Sequence, residues 1–177
     1  GSDAQILAFG HINTCIAHQG FAQLLPINQA SSHYHISLLY AQGHGDKQGS
    51  DAQTAAFEHL ITCIAHPGFS KALPKDQAHY HYLLTELYRL GHGDKQGSEA
   101  KKTAFVHLNA CISHPRFHEL PSKYQAHSHC LIAVLYNEGD GDKQNPQAQK
   151  AAFEHLNACI SHPGFHELPF KYQASSH

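Results

Sequence analysis

The chain has 177 residues, with 12 Lys and Arg against 14 Asp and Glu, a net charge of −2, 19 histidines and a hydrophobic fraction of 41%. Near-neutral charge without a basic stripe argues against a phosphate-driven nucleic-acid binder. No apolar run is long enough to cross a bilayer and no signal peptide is evident, so a membrane partner is not expected either.

Phe9, Phe57, Phe105 and Phe153 recur every 48 residues, and so do Cys15, Cys63, Cys111 and Cys159, and His18, His66, His114 and His162. Self-similarity at a fixed period is the mark of a repeat array, in which each unit packs on its neighbours instead of on one central core. The units are 1–48, 49–96, 97–144 and a partial 145–177. Leu25-Pro26 and Leu73-Pro74 recur as Leu120-Pro121 and Leu168-Pro169, a one-residue slip regained by Gln125, so a loop lies there. Met is absent and the chain stops at His177, part-way into a repeat helix, which reads as a fragment of a longer array lacking capping repeats.

In chain order, each full unit reads as two helices. The second unit shows the pattern most clearly. Residues 51–66 open after Ser50, an N-cap candidate, and close before Pro67-Gly68. Ala52, Ala56, Phe57, Leu60, Cys63 and Ile64 spread over about half of this helix's circumference, as in a helix covered on more than one side. The second helix follows Pro74 and runs from about Lys75 to Leu90, ended by Gly91 and Gly93. Tyr80, Leu83, Leu84, Leu87 and Tyr88 form its apolar face, with His79, Tyr82, Glu86 and Arg89 on the opposite side. The first and third units repeat this pattern, giving seven helices and the start of an eighth.

Tyr88-x-x-Gly91-x-Gly93, preceded by Ala78 and Leu84, resembles the Sel-one-like branch of the tetratricopeptide family; Tyr40-Ala-Gln-Gly43-His-Gly45 and Tyr136-Asn-Glu-Gly139-Asp-Gly141 match equally well. The unit is longer than that family's, with the excess between His-Pro-Gly-Phe and Leu-Pro, and His81 stands where the family often has a large apolar residue. The resemblance implies an all-α solenoid of stacked antiparallel helix pairs, whose concave wall binds peptides or proteins.

Comparison among units separates two kinds of position in the tyrosine-bearing helix. His33/His81/His129, Leu39/Leu87/Leu135 and Tyr40/Tyr88/Tyr136 hold constant, as identical packing requires. Ser31/His79/His127, Tyr34/Tyr82/Cys130, Leu38/Glu86/Val134, Ala41/Arg89/Asn137 and Gln42/Leu90/Glu138 drift along one stripe. Aromatic and arginine anchors dominate interfaces. Tyr34, Leu38, His79, Tyr82, Glu86, Arg89, Val134 and Asn137 are therefore the candidate partner-binding residues.

Each first helix also carries His-x3-Cys-x2-His, which offers zinc, nickel or copper a ligand set such as His59, Cys63, His66, His107, Cys111 and His114. Against this, positions seven apart are separated by about 10.5 Å along a helix, too far for both imidazoles to share one ion. The four repeat-equivalent cysteines lie one unit apart, roughly 20 Å, beyond the ~7 Å that a disulfide spans. They are expected as reduced thiols, which favours a cytosolic setting. Four equivalent Cys-His pairs look like architecture, not a nucleophile, and no phosphate loop, carboxylate pair or Ser-His-Asp set stands out. No enzyme and no cofactor are expected. The alternatives to a protein- or peptide-binding scaffold are a metal-binding repeat and head-to-tail self-association through uncapped ends. The constant histidines, if half-buried and neutral, should have lowered pKa values.

Overall fold

The computed structural model describes residues 2–71, 74–142 and 146–169. All regular structure among them is helical: α1 (Ser2–Ala17), α2 (Pro26–Ala41), α3 (Gly49–Ala65), α4 (Pro74–Arg89), α5 (Gly97–Ile112), α6 (Ser122–Asn137) and α7 (Gln147–Ser161). Short 3-10 turns at Phe21–Gln23, Phe69–Lys71, Phe117–Glu119 and Pro163–Glu167 fill the long connections. The expected start of an eighth helix falls on 170–177, outside the described residues. The chain divides into two compact units, Gly1–Leu73 and Pro74–His177.

In the first unit α2 packs most extensively on α3, the helix after the short glycine loop, and less on α1. In the second unit the main pairs are α4 with α5 and α6 with α7, while α5 also meets α6. Alanines make these approaches close: Ala52, Ala55 and Ala56 in α3, Ala100 and Ala104 in α5, and Ala148, Ala151 and Ala152 in α7 are all buried. Removing side-chain bulk there lets the facing tyrosine helix press in, and Leu60, Leu108 and the buried Cys63 and Cys111 fill the remaining volume.

The recurring Tyr-x-x-Gly-x-Gly-Asp has one physical explanation. Gly43, Gly91 and Gly139 adopt φ of 77°, 78° and 82°, the left-handed conformation that ends a helix. His44 N–H donates to the Leu39 carbonyl (2.8 Å) and Gly43 N–H to that of Tyr40 (3.0 Å), satisfying the last turn. The second glycine lies against the tyrosine ring, and a Cβ on Gly45, Gly93 or Gly141 would collide with the ring of Tyr40, Tyr88 or Tyr136. The aspartate accepts the phenol: Tyr40 to Asp46, Tyr88 to Asp94 and Tyr136 to Asp142, each at 2.7 Å.

One expectation fails at the entry to α3. Ser50 is not the N-cap; Gln48 holds that position without a side-chain bond, and Gly49, at φ 57°, turns the chain into the helix. Glycine supplies by backbone freedom what a serine side chain would supply by hydrogen bonding, and Gln96 and Gly97 repeat the arrangement before α5.

Candidate ligand groove on the second unit

The histidines divide by role. His18, His66, His114 and His162 each accept at Nδ1 from the backbone N–H two residues on, at 3.0–3.2 Å, and so fix the turn before the 3-10 segment. With Nδ1 accepting, Nε2 carries the proton: His66 donates to Gln29 Oε1 (3.1 Å) and His162 to Gln125 Oε1 (3.2 Å). Gln125 in turn donates to the Leu120 carbonyl at 2.6 Å, and Gln29 to that of Leu24 at 2.8 Å. This network explains why the sequence slip is repaired before Gln125.

The second set forms His–His contacts. His33 and His59, His81 and His107, and His129 and His155 meet Nδ1 to Nδ1 at 3.0, 3.1 and 3.0 Å. The rings of Tyr40, Tyr88 and Tyr136 stack on His59, His107 and His155 at 5.8–6.1 Å. Burial is the chief cause lowering the pKa of His33, His59 and His81, and it takes His107 and His129 down to about 4.

The sequence-derived metal set does not converge. His59 faces His33, His66 is held by Gln29 and Gly68, and Cys63 is fully buried between them. In the second unit His107 turns to His81, and Cys111 is buried with burial raising its thiol to about 12. His114 accepts from Arg116 N–H. Among the described residues no three His, Cys, Asp or Glu side chains gather where they could hold a metal ion.

A groove of about 470 Å³ opens on the second unit. Tyr82, Glu86, Arg89 and Leu90 line it from the end of the unit's first tyrosine helix, Lys123, Tyr124 and His127 from α6, and Glu167, Leu168 and Pro169 from the segment after α7. Tyr82 and Tyr124 lie 5.0 Å apart between ring centres, and the Tyr82 hydroxyl meets His127 Nδ1 at 2.8 Å. Lys123 Nζ sits 4.9 Å over the Tyr124 ring. Glu86 and Arg89 form an ion pair at 3.2 Å, both less than one-third exposed. An aromatic wall is therefore flanked by groups of both charges.

Of the residues expected at a site, Tyr82, Glu86 and Arg89 come together here. His79 lies behind the wall, 4.8 Å from the Tyr124 ring, with its pKa lowered to about 4 by burial and then by the charge of Lys123. His79 and Tyr82 are not on a solvent face, as the sequence pattern suggested: Tyr82 is 6% exposed. The helix has a second packing partner, α6, and the drifting stripe is partly the seam between them. Val134 and Asn137 are exposed on α6 outside the groove, while Tyr34, buried, and Leu38, half-buried, belong to α2 of the first unit. Tyr124 and Lys123 escaped sequence reasoning, although a tyrosine standing where the two preceding units have Asn28 and Asp76 is a readable signal.

The first unit carries a separate pocket of about 440 Å³, lined by His11, Thr14, Cys15 and His18 of α1 with Gly20, Phe21 and Leu24. In this pocket Cys15 is exposed, whereas its repeat equivalents Cys63, Cys111 and Cys159 are buried. Searches of protein-family models, curated proteins and solved structures return no match to this chain.

Proposed function

We propose that the chain is a non-enzymatic helical-repeat scaffold, a solenoid of the Sel-one-like kind, that binds an extended peptide or protein segment. The observation that carries this reading is the groove in the second unit, where Tyr82, Glu86, Arg89 and Leu90, residues that differ among otherwise near-identical units, line one concavity with Tyr124. Constant residues serve packing, and varied aromatic and charged ones at a concavity suit recognition of a specific segment. Random peptides displayed on phage and selected on the intact chain test it. Selected peptides should lose binding to Arg89→Ala and Tyr124→Ala proteins and keep it with Asn137→Ala. Peptides indifferent to the first two substitutions would remove the groove from consideration.

Self-association is a second reading, supported by exposed apolar residues on α1 and α7. Ile6 (56%) and Leu7 (63%) on α1 and Phe153 (64%) on α7 are open, whereas Phe9, Phe57 and Phe105 are buried. Light scattering that reports growth of mass with concentration, reduced by Phe153→Ser, would support this reading; a constant monomer mass would end it.

A further inference from the structure

The fifth cysteine breaks the repeat, and its position gives it a partner. The tyrosine-bearing helices carry Tyr34, Tyr82 and Cys130 at one equivalent position, while the following helices carry Cys63, Cys111 and Cys159 at another. In the second unit these two positions face each other. The Cys111 thiol meets the backbone of Tyr82, and the Cys159 thiol makes the same approach to the backbone of Cys130. Where Tyr82 sends its ring away to Tyr124 and His127, Cys130 leaves a short side chain at the contact. The Cys159 thiol hydrogen-bonds the Cys130 sulfur, inside a buried cluster completed by Ala126, Phe165 and Leu168.

We propose that Cys130 and Cys159 are a disulfide-forming pair that closes on exposure to a small-molecule disulfide and reopens with a dithiol. The chemistry is thiol–disulfide exchange. The Cys130 thiolate attacks one sulfur of oxidised glutathione, forming a mixed disulfide and expelling one glutathione thiolate, which takes up a proton. The Cys159 thiolate then attacks the Cys130 sulfur and expels the second glutathione. The two thiol hydrogens finish on two glutathione molecules, and two electrons pass from the protein to the oxidant. Cys130 goes first because it accepts the hydrogen bond from Cys159, whose own thiol is pushed up by that bond and by burial. Access comes through local opening of the buried cluster that Phe165 and Leu168 share with the two cysteines. Cys63 and Cys111 are buried too, but at the position equivalent to Cys130 the preceding helices carry Tyr34 and Tyr82.

The test is to incubate the intact chain with oxidised glutathione at pH 8, quench in acid, unfold, block remaining thiols and map peptides without reduction. Exposed Cys15 takes up one glutathione and shows that the oxidant is active. The expected product carries a linked peptide joining Cys130 to Cys159, has lost two further hydrogens, and reverts with dithiothreitol. Cys130→Tyr, which restores the residue of the preceding units, and Cys159→Ala each abolish the linked peptide. Recovery of Cys130 and Cys159 as blocked thiols while Cys15 is fully modified would overturn the proposal, as would a link from Cys130 to Cys111.

Discussion

His81 and His107 approach Nδ1 to Nδ1 at 3.1 Å, and this contact requires that at least one of the two imidazoles be neutral. One ring donates its Nδ1 proton and the other accepts with a bare Nδ1; when both are protonated, two N–H groups face each other. The same pair is made by His33 with His59 and by His129 with His155. The tyrosine that stacks on it is the one that ends its helix against Gly-x-Gly-Asp, so the pair sits at the structural centre of each repeat contact.

Stability should therefore fall in mild acid. The pKa values of His33, His59, His79, His81, His107 and His129 are lowered in the fold, to about 4 for His79, His107 and His129, against about 6.5 in the unfolded chain. Their contribution is fully present above pH 6.5 and is lost as pH drops toward 4, because the unfolded chain takes up protons first. On the order of 2 kcal/mol is at stake at His107 after allowing for partial exposure. Urea midpoints at pH 7.5 and 5.0 measure it. Equal midpoints would show that the pairs do not hold neutral imidazole.

The tyrosine loop gives a ranked pair of substitutions. Tyr88→Phe removes the 2.7 Å hydrogen bond to Asp94 and should cost about 1.5 kcal/mol. Gly93→Ala drives a methyl into the face of the Tyr88 ring and should cost about 2–3 kcal/mol. Chemical denaturation of both variants orders them, and a Gly93→Ala protein as stable as the parent would refute the role given to that glycine.

Repeat-equivalent glycines should also differ from one another. A Cβ on Gly68 would strike the backbone of Pro26, because the loop after α3 is pressed against the start of α2. On Gly20 it would meet only the His18 ring, at 3.2 Å, which can swing aside. Gly68→Ala should thus lower stability by about 3 kcal/mol and Gly20→Ala by less than about 0.5 kcal/mol. Similar losses at both sites would mean that the loop does not bear on α2.

What the sequence revealed followed from its period. Phe9 against Tyr40 and Phe105 against Tyr136, at 5.1 and 5.2 Å, are repeats of one contact, so a constant spacing in the chain became a constant contact in space. Helix positions were readable for the same reason, through Pro74 at the start of α4 and Gly91 just past its end. Drift was harder to interpret, because a position varies when it faces solvent, when it binds, and when it packs against a neighbour that varies in concert. Tyr82 and His127 are of the last kind: each drifts, and they bond to each other. Cys130 was unreadable as half of a pair, since spacing among the repeat cysteines concerns residues one unit apart, whereas Cys130 meets Cys159 across a helix pair.

This distinction decides how the groove must be probed. Tyr82 is 6% exposed and belongs to the core cluster that includes Phe105, Leu131 and Leu135, so Tyr82→Ala should destabilise the second unit by about 3–4 kcal/mol. A binding loss in that variant would say nothing about contact with a ligand. Arg89 pairs with Glu86 at the groove wall, at 28% side-chain exposure, so Arg89→Ala should change stability by less than about 1 kcal/mol. If a bound segment uses the guanidinium, that same change should weaken binding at least tenfold, about 1.4 kcal/mol. Calorimetric titration of a groove-selected peptide, run beside a urea melt of each variant, separates the effects. Arg89→Ala should lose affinity with its midpoint kept, and Tyr82→Ala should lose both. An Arg89→Ala protein that binds the peptide as the parent does would show that the ion pair serves the fold alone.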